Sequence, residues 1–597
     1  MKKNTHISFR KLIFQRIIIF TILSLATGFF PISQLHAQCT TLPGTITLPI
    51  GTTNWNVAAF RQQNVIVPSG ATLNITAIQN MTPGVSITVQ PNGKVNLSTG
   101  GELRACNLVW TGVIVNGNAG LSQTAANQGV FNMSGNSIIR NAGLGIKVNS
   151  GGILTTKVAR FIDNKVDVEF LPYSIATPPA VTNNLSSFYE TQFLWTQFYS
   201  GTTSFLHHVK LVEVFLVHFA GCTFDNTYSG NLDPDIRGVG ILSNNASMYC
   251  HRLNTTTSGG CQYYTSTKTK FSNFRTAIRA NSTSNTLSRY SRVWQCEFIN
   301  NDHDIELDKE VQWRIEQNSF DYYEPNALFT PGQTSFISIN ENNIGVYPAS
   351  VKMSIYANTF TSWNTIITDF IYINKTYSEL VIKKNTFNNT LPVNIGLAYG
   401  LKANDNNSGL KLTCNTYSGY YDRTLVFAGT NPTAIGSSTL ASGNVFPTCA
   451  FALYNIFNFG SPITYYYGTG AGQNPGTCNV GSLTLVNLTG SGQQNACSND
   501  PCTAPPRLAQ SDIDKEEKMN VTLFPNPTLS VLHISSSTSL SNPQLKIVDV
   551  MGKVVSVNST IENDGLKIDV QHLPNGIYFY EISSDNLSTA KGRFIKN

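Results

Sequence analysis

Charge is scarce in this chain of 597 residues: Asp, Glu, Lys and Arg together make up 12%. The formal net charge of +6 is spread thinly, and part of it sits near the N-terminus. With no basic stripe to meet phosphates, nucleic acid is excluded as a partner. Long apolar runs are missing after Phe30, so no transmembrane segment is expected in the mature chain. The HExxH helix, the phosphate-cradling loop and the Gly-x-Ser-x-Gly elbow are absent, which excludes three common chemistries in their familiar form. Paired CxxC-type ligands are absent too, so no zinc or other metal site is expected. His207, His208 and His218 lack ligand-like neighbours in sequence and read as solitary exposed or core histidines.

What is present is a repeat. A polar residue, any residue, then Phe or Tyr recurs as Cys222-Thr-Phe224, Cys296-Glu-Phe298, Asn318-Ser-Phe320, Asn358-Thr-Phe360, Asn385-Thr-Phe387, Asn415-Thr-Tyr417 and Asn444-Val-Phe446. From Phe298 onward the spacings are 22, 40, 27, 30 and 29 residues. Periods in this range mean a solenoid. Two apolar residues precede each motif at alternate positions, among them Trp313 and Ile315, Leu380 and Ile382, and Val217 and Phe219. That period of two is a strand facing a core. The phase then breaks at the Asn, which marks a corner. Asn tolerates left-handed backbone there and can bond the turn's own backbone. Cys222 and Cys296 occupy the same slot, which predicts an inward ladder of Asn and Cys. A second strand follows each Phe, with Ile278 seven residues after Phe271 and Ile305 seven after Phe298.

Strand, corner, strand and turn in repetition predict an all-β, right-handed parallel β-helix. The rival is a leucine-rich-repeat-like solenoid, whose core pattern is similar. It needs helical or tight-turn material where this chain has Asn- and Ser-rich extended segments. The expected organisation is a signal peptide over 1–37, the β-helix with its C-terminal cap over 38–497, a linker over 498–518 and a small β-sandwich over 519–597.

The signal peptide reads from its basic residues, Lys2 to Arg16, and its apolar stretch, Ile17 to Phe30, with cleavage expected before Gln38. Gln38 is too large for a lipoprotein reading of Cys39. Within the helix, residues 171–215, with Trp195, and 226–265 read as insertions. Residues 450–497 lose the rung pattern and are expected to cap the open end, which would otherwise expose strand edges. Eleven cysteines in an exported chain allow disulfides. The local pairs Cys250/Cys261 and Cys497/Cys502 bracket short polar loops and are the expected bonds. The odd count leaves a free thiol, for which Cys222 and Cys296 are natural sites.

The run of short strands and Gly turns from Val65, with Trp110-Thr-Gly-Val-Ile, resembles the pectate-lyase-like β-helix proteins of bacterial surfaces over residues 60–450. The tail is similar to the type A C-terminal sorting domain of the type IX secretion system. Pro525-Asn526-Pro527, Asp549 through Gly552-Lys553-Val554, Leu573-Pro574-Asn575-Gly576-Ile577-Tyr578 and Phe594-Ile595-Lys596 carry that likeness, in the family's order. The resemblance implies passage through the periplasm, recognition by the type IX secretion machinery, and a protein at the outer cell surface or secreted.

One acidic constellation stands out: Asp302, Asp304, Glu306 and Asp308 alternate with Ile305 and Leu307. Read as one strand, their carboxylates point outward, roughly 6.6 Å apart, near the separation of glycosidase pairs. With Arg279 or Arg314 as base, such a row suits a Ca²⁺-dependent lyase. The plainer reading stacks Ile278 on Ile305 and makes Arg279 and Glu306 a cross-strand ion pair. The Asp-Asp and Gly-His-Gly motifs of polygalacturonases are absent. Trp195, Tyr420 and Tyr421 are candidate ligand contacts, with Tyr322-Tyr323 and Tyr465-Tyr466-Tyr467 as further aromatic clusters. The expected function is non-catalytic adhesion to a polysaccharide or matrix ligand, with no cofactor. The alternative is a polysaccharide lyase or glycoside hydrolase.

Overall fold

The computed structural model describes residues 39–489 and 521–597, together with Gln494, Asn495 and Cys497. Internal stretches are excepted, the longest being 174–183, 228–236, 284–289, 324–333, 342–352, 391–397 and 537–543. The expected signal peptide and linker, Cys502, Gly552 and the side chain of Cys261 lie outside the described residues. Two compact units divide the chain at Pro501 and Cys502.

In the first unit, three long parallel sheets contain 17, 13 and 13 strands. One turn of the chain visits each in order. Leu380–Lys383 lies in the second sheet, Thr386–Asn389 in the third and Tyr399–Ala403 in the first. The chain then returns to the second sheet, where Leu410–Thr413 pairs in parallel with Leu380–Lys383. Parallel crossovers within a sheet are right-handed for steric reasons, and the product is a right-handed parallel β-helix. Among the described residues every regular element is a strand. The third sheet occupies the half of the repeat that a leucine-rich repeat would fill otherwise, so that alternative is set aside.

The corner between the second and third sheets carries the motif. Left-handed backbone falls on Gln317, Ala357, Lys384 and Cys414, with φ between 54° and 60°. These residues precede the Asn, so the expectation that Asn itself takes that conformation is corrected. The twist at the preceding residue turns each Asn inward. There Asn358 donates from Nδ2 to Asn385 Oδ1 (3.0 Å) and to the Ile315 carbonyl (2.8 Å). Its Oδ1 accepts the backbone N–H of Asn318 (2.9 Å) and the Asn318 side chain (2.9 Å). The same arrangement repeats from Asn385 to Asn415 and from Asn415 to Asn444. Each amide thus uses both donors and both acceptors, and reaches across rungs rather than within its own turn. Cys296 joins the ladder through its backbone N–H, which donates to Asn318 Oδ1 at 2.8 Å.

Two residues beyond each corner, the aromatic rings stack. Phe193, Phe224, Phe271, Phe298, Phe320, Phe360, Phe387 and Tyr417 form one column with centroid spacings of 4.5–5.1 Å. Rung spacing of about 4.8 Å sets this distance, and each pair adds about 0.5–1.5 kcal/mol beyond its burial.

Two segments expected as insertions contain rungs. Ser187–Tyr189, Gln192–Trp195 and His207–Val212 form one complete turn. Val239–Asn244 and Met248–His251 continue the next. At the far end the second and third sheets stop at Leu410–Thr413 and Thr416–Gly419. The first sheet alone extends, through Ala452–Tyr467 and Asn479–Asn487.

Among the described residues three disulfides are formed: Cys39–Cys106, Cys414–Cys497 and Cys449–Cys478. Both expected pairs are corrected. Cys497 bonds Cys414 instead of Cys502. Cys250 is a free, fully buried thiol, because its strand points it inward between Phe219 and Val293 on the adjacent rungs. Cys222 and Cys296 are free and buried, as expected.

In the second unit, two four-stranded antiparallel sheets share a core that includes Leu532, Ile534, Ile568, Ile582 and Phe594.

Candidate functional site

The acidic row does not survive folding as a row. The strand His303–Asp308 begins just after a corner, and both Asp304 and Ile305 are buried there. Asp304 turns inward and accepts a hydrogen bond from Asn301 Nδ2 at 2.8 Å. Burial pushes its carboxyl well above the usual range. An identical pair, Asn164 and Asp167, stands at the same corner several rungs earlier, where Asp167 also meets the buried His208 ring at 2.5 Å. Asp302 is buried against Arg237. Glu306 faces outward and pairs with Arg279 at 2.5 Å, and His303 stands 3.7 Å away. Asp308 accepts from Asn340 Nδ2 at 3.1 Å. The expected shared outward face is therefore corrected: two carboxylates point in and two point out. The predicted stacking of Ile278 on Ile305 and of Arg279 beside Glu306 is what the register shows. Arg314 lies on the second sheet, over the Tyr290 ring. These residues do not fit the Ca²⁺ ion that the lyase alternative implies. Among the described residues no three His, Cys, Asp or Glu side chains converge as metal ligands.

The aromatic candidates divide in the same way. Trp195 is 6% exposed and packs on Tyr199 and Phe205 at 4.7 and 5.1 Å. Tyr421 is 1% exposed, and its hydroxyl donates to the Phe387 carbonyl at 3.0 Å. Both are core residues, which corrects their assignment as ligand contacts. Tyr465 and Tyr322 are buried as well. Tyr420 stays at the surface edge, half-buried, with its ring edge-on to exposed Phe451 at 4.9 Å.

An outward-facing aromatic pair forms where the third sheet ends. Tyr323 follows the strand Ser319–Tyr322, and Trp363 follows Thr359–Ser362. The two strands pair directly, Tyr322 with Ser362, so the next residues step out side by side. Tyr323 is 46% and Trp363 53% exposed, and their rings stack at 5.9 Å with planes 28° apart. Asp321 sits beside them on the outer face of the third sheet and receives hydrogen bonds from the side chains of Thr361 and Tyr323. Burial raises its carboxyl, and those two hydrogen bonds oppose the shift. Trp363 was not singled out from sequence, yet the signal was there: Tyr323, Trp363 and Tyr420 each stand three residues after a ladder aromatic.

On the second sheet Arg292 lies over the rings of Trp294 (4.6 Å) and Tyr249 (5.7 Å) and pairs with Glu316 at 2.9 Å.

In the second unit the sorting residues hold the sandwich together. Asn526, between Pro525 and Pro527, accepts the Ile595 N–H at 2.9 Å. Lys553 closes a turn by donating its N–H to Asp549 Oδ1 at 2.9 Å. Leu573 is buried, and the Tyr578 hydroxyl donates to the Pro574 carbonyl at 2.8 Å. Gly576 opens the strand that pairs with Leu587–Lys596.

The molecule is thus a right-handed parallel β-helix joined in one chain to an export-signal sandwich. Residues 522–597 match the family model described as the secretion system C-terminal sorting domain. The protein is accordingly exported by the type IX system to the cell surface or beyond it. No curated protein matches the chain by sequence. Among solved structures the chain is similar to the tailspike protein of E. coli bacteriophage HK620 in complex with pentasaccharide, at 10% identity and TM-score 0.40 over 92% of this chain and 86% of that one. A mutant of the same tailspike gives TM-score 0.42 at 10% identity over 89% and 85%.

Proposed function

We propose that the protein is a non-catalytic adhesion protein of the cell exterior that binds glycan at the edge of its third sheet. The observation that carries this reading is the outward, stacked pair Tyr323 and Trp363 beside Asp321. Large aromatic faces left in water cost hydrophobic free energy unless something covers them. A sugar ring presents an apolar face to stack and hydroxyls to bond, and this edge offers both an aromatic surface and a carboxylate acceptor. The export signal delivers the edge to where polysaccharide is met. The divergence of the four carboxylates on and beside the strand His303–Asp308 further supports binding over turnover.

The test uses exported protein purified from the cell surface or medium. Binding to a panel of neutral, amino and acidic polysaccharides is measured together with release of reducing ends and unsaturated products. Binding without product, reduced about tenfold or more by Trp363→Ala, is expected. Turnover abolished by Glu306→Ala would overturn the reading, and so would binding that Trp363→Ala leaves unchanged.

A further inference from the structure

We infer that the ligand is a linear saccharide chain without acidic groups, lying along the helix axis across four consecutive rungs. This rests on the glycan-binding reading above and extends it to ligand class, length and direction.

The register supplies the direction. Tyr322, Ser362, Asn389 and Gly419 form one column at the end of the third sheet. The residue after each steps out at the edge: Tyr323, Trp363, Thr390 and Tyr420. The edge is held to the sheet by the backbone bonds from Trp363 to Tyr322, Thr390 to Ser362 and Tyr420 to Asn389. Aromatic rings thus stand at the first, second and fourth rungs, over roughly 14 Å of helix axis. Phe451, itself exposed and in contact with Tyr420, continues the edge. A single sugar ring covers one of these positions, whereas an extended chain advancing about one ring per rung covers all of them.

A polar column runs parallel to the aromatic edge on the outer face of the third sheet. It consists of Asp321, Thr361, Asn388 and Ser418, which are register partners on the same four rungs. Ser418 Oγ donates to Asn388 Oδ1 at 2.6 Å, and Thr361 bonds Asp321. A hydroxyl, amide or carboxylate therefore recurs at each rung, where sugar hydroxyls need partners. Among these eight residues Asp321 is the sole carboxylate and none is a cation. Of the charged groups that act on Asp321, Glu297 is a second carboxylate and Lys268 is the cation, and these two pair at 3.8 Å. A chain of uronates or sulfated sugars would meet a like charge whose one neighbouring cation is already shared with Glu297, whereas neutral or amino sugars meet acceptors.

Titration calorimetry of the purified exported chain decides this, with β-1,4-linked glucose and N-acetylglucosamine oligomers and α-1,4-linked galacturonate oligomers, each of two to six units, as probes. Affinity for a neutral series is expected to rise with length to about four or five units and then level off. Trp363→Ala and Tyr420→Ala are each expected to lower it about tenfold, with unchanged unfolding midpoints. Galacturonate is expected to bind weakest and to gain from Asp321→Asn. Equal affinity for dimers and hexamers, or an effect of Trp363→Ala without one of Tyr420→Ala, overturns the extended chain while leaving glycan binding intact. Tightest binding of galacturonate overturns the ligand class. Trp363→Ala without effect on any bound probe overturns the glycan site itself, and binding of no series overturns this inference.

Discussion

Tyr323 and Trp363 occupy the same edge position on neighbouring rungs, with ring centroids 5.9 Å apart. They are outward, while Trp195 and Tyr421 are buried in the core. Substitution should separate the two classes cleanly. Trp195→Ala and Tyr421→Ala are expected to destabilise the helix by about 3–5 kcal/mol through lost packing. Trp363→Ala should change stability by less than about 0.5 kcal/mol and act on binding alone. Chemical denaturation of the three variants checks this, and a large stability loss in Trp363→Ala would contradict its placement.

The Asn ladder is sensitive to a single atom. Asn385 donates to the Ile355 carbonyl and to Asn415 Oδ1, both acceptors. Asn385→Asp removes both donors and sets a buried carboxylate against two oxygens. A loss of about 3–5 kcal/mol is expected, against about 1–3 kcal/mol for Asn385→Ala. An unchanged denaturation midpoint for Asn385→Asp would contradict the ladder.

Asp304 gives a pH dependence of definite sign. Burial raises its carboxyl above the unfolded value near ~3.9, so the folded state holds the proton more tightly. Its contribution to stability is then greatest in acid and is lost as pH rises through the folded pKa. Asp304→Asn keeps the acceptor for Asn301 and removes the ionisation. The variant should gain stability over wild type as pH rises above about 4, measured as unfolding midpoint against pH. A difference that shrinks with rising pH would contradict the inward placement.

The cysteines can be read directly. Non-reduced peptide mapping is expected to find Cys39–Cys106, Cys414–Cys497 and Cys449–Cys478, with Cys250 alkylated only after denaturation. Recovery of a Cys250–Cys261 peptide would contradict the inward orientation of Cys250. Loss of the bond closing the long loop from Cys414 to Cys497 should cost about 2–5 kcal/mol.

The rungs were legible because one aromatic per turn, and from Asn318 onward one Asn, must face inward at a fixed distance from the corner, and that spacing is written into the chain. The pairing of Arg279 with Glu306 followed from the same register. Alternation failed at Asp304, because two successive residues, Asp304 and Ile305, face inward just after the corner. The earlier Asn164 and Asp167 carry the matching Asn-x-x-Asp signature that would have revealed it. Local spacing also misled for Cys250 and Cys497. In a solenoid, residues far apart in sequence become neighbours, and short loops are not where thiols meet. Trp363 was missed because a lone Trp in a polar stretch has no cluster around it until Tyr323 arrives from the previous rung.

Adhesion of cells that display the protein is the most direct measurement of the central claim. Cells expressing wild-type protein or Trp363→Ala are matched for the amount exposed at the surface and allowed to attach to a glycan-coated support. The account predicts equal display and a loss of attachment in the variant, restored by Trp363→Tyr. Equal display with undiminished attachment in Trp363→Ala would contradict it.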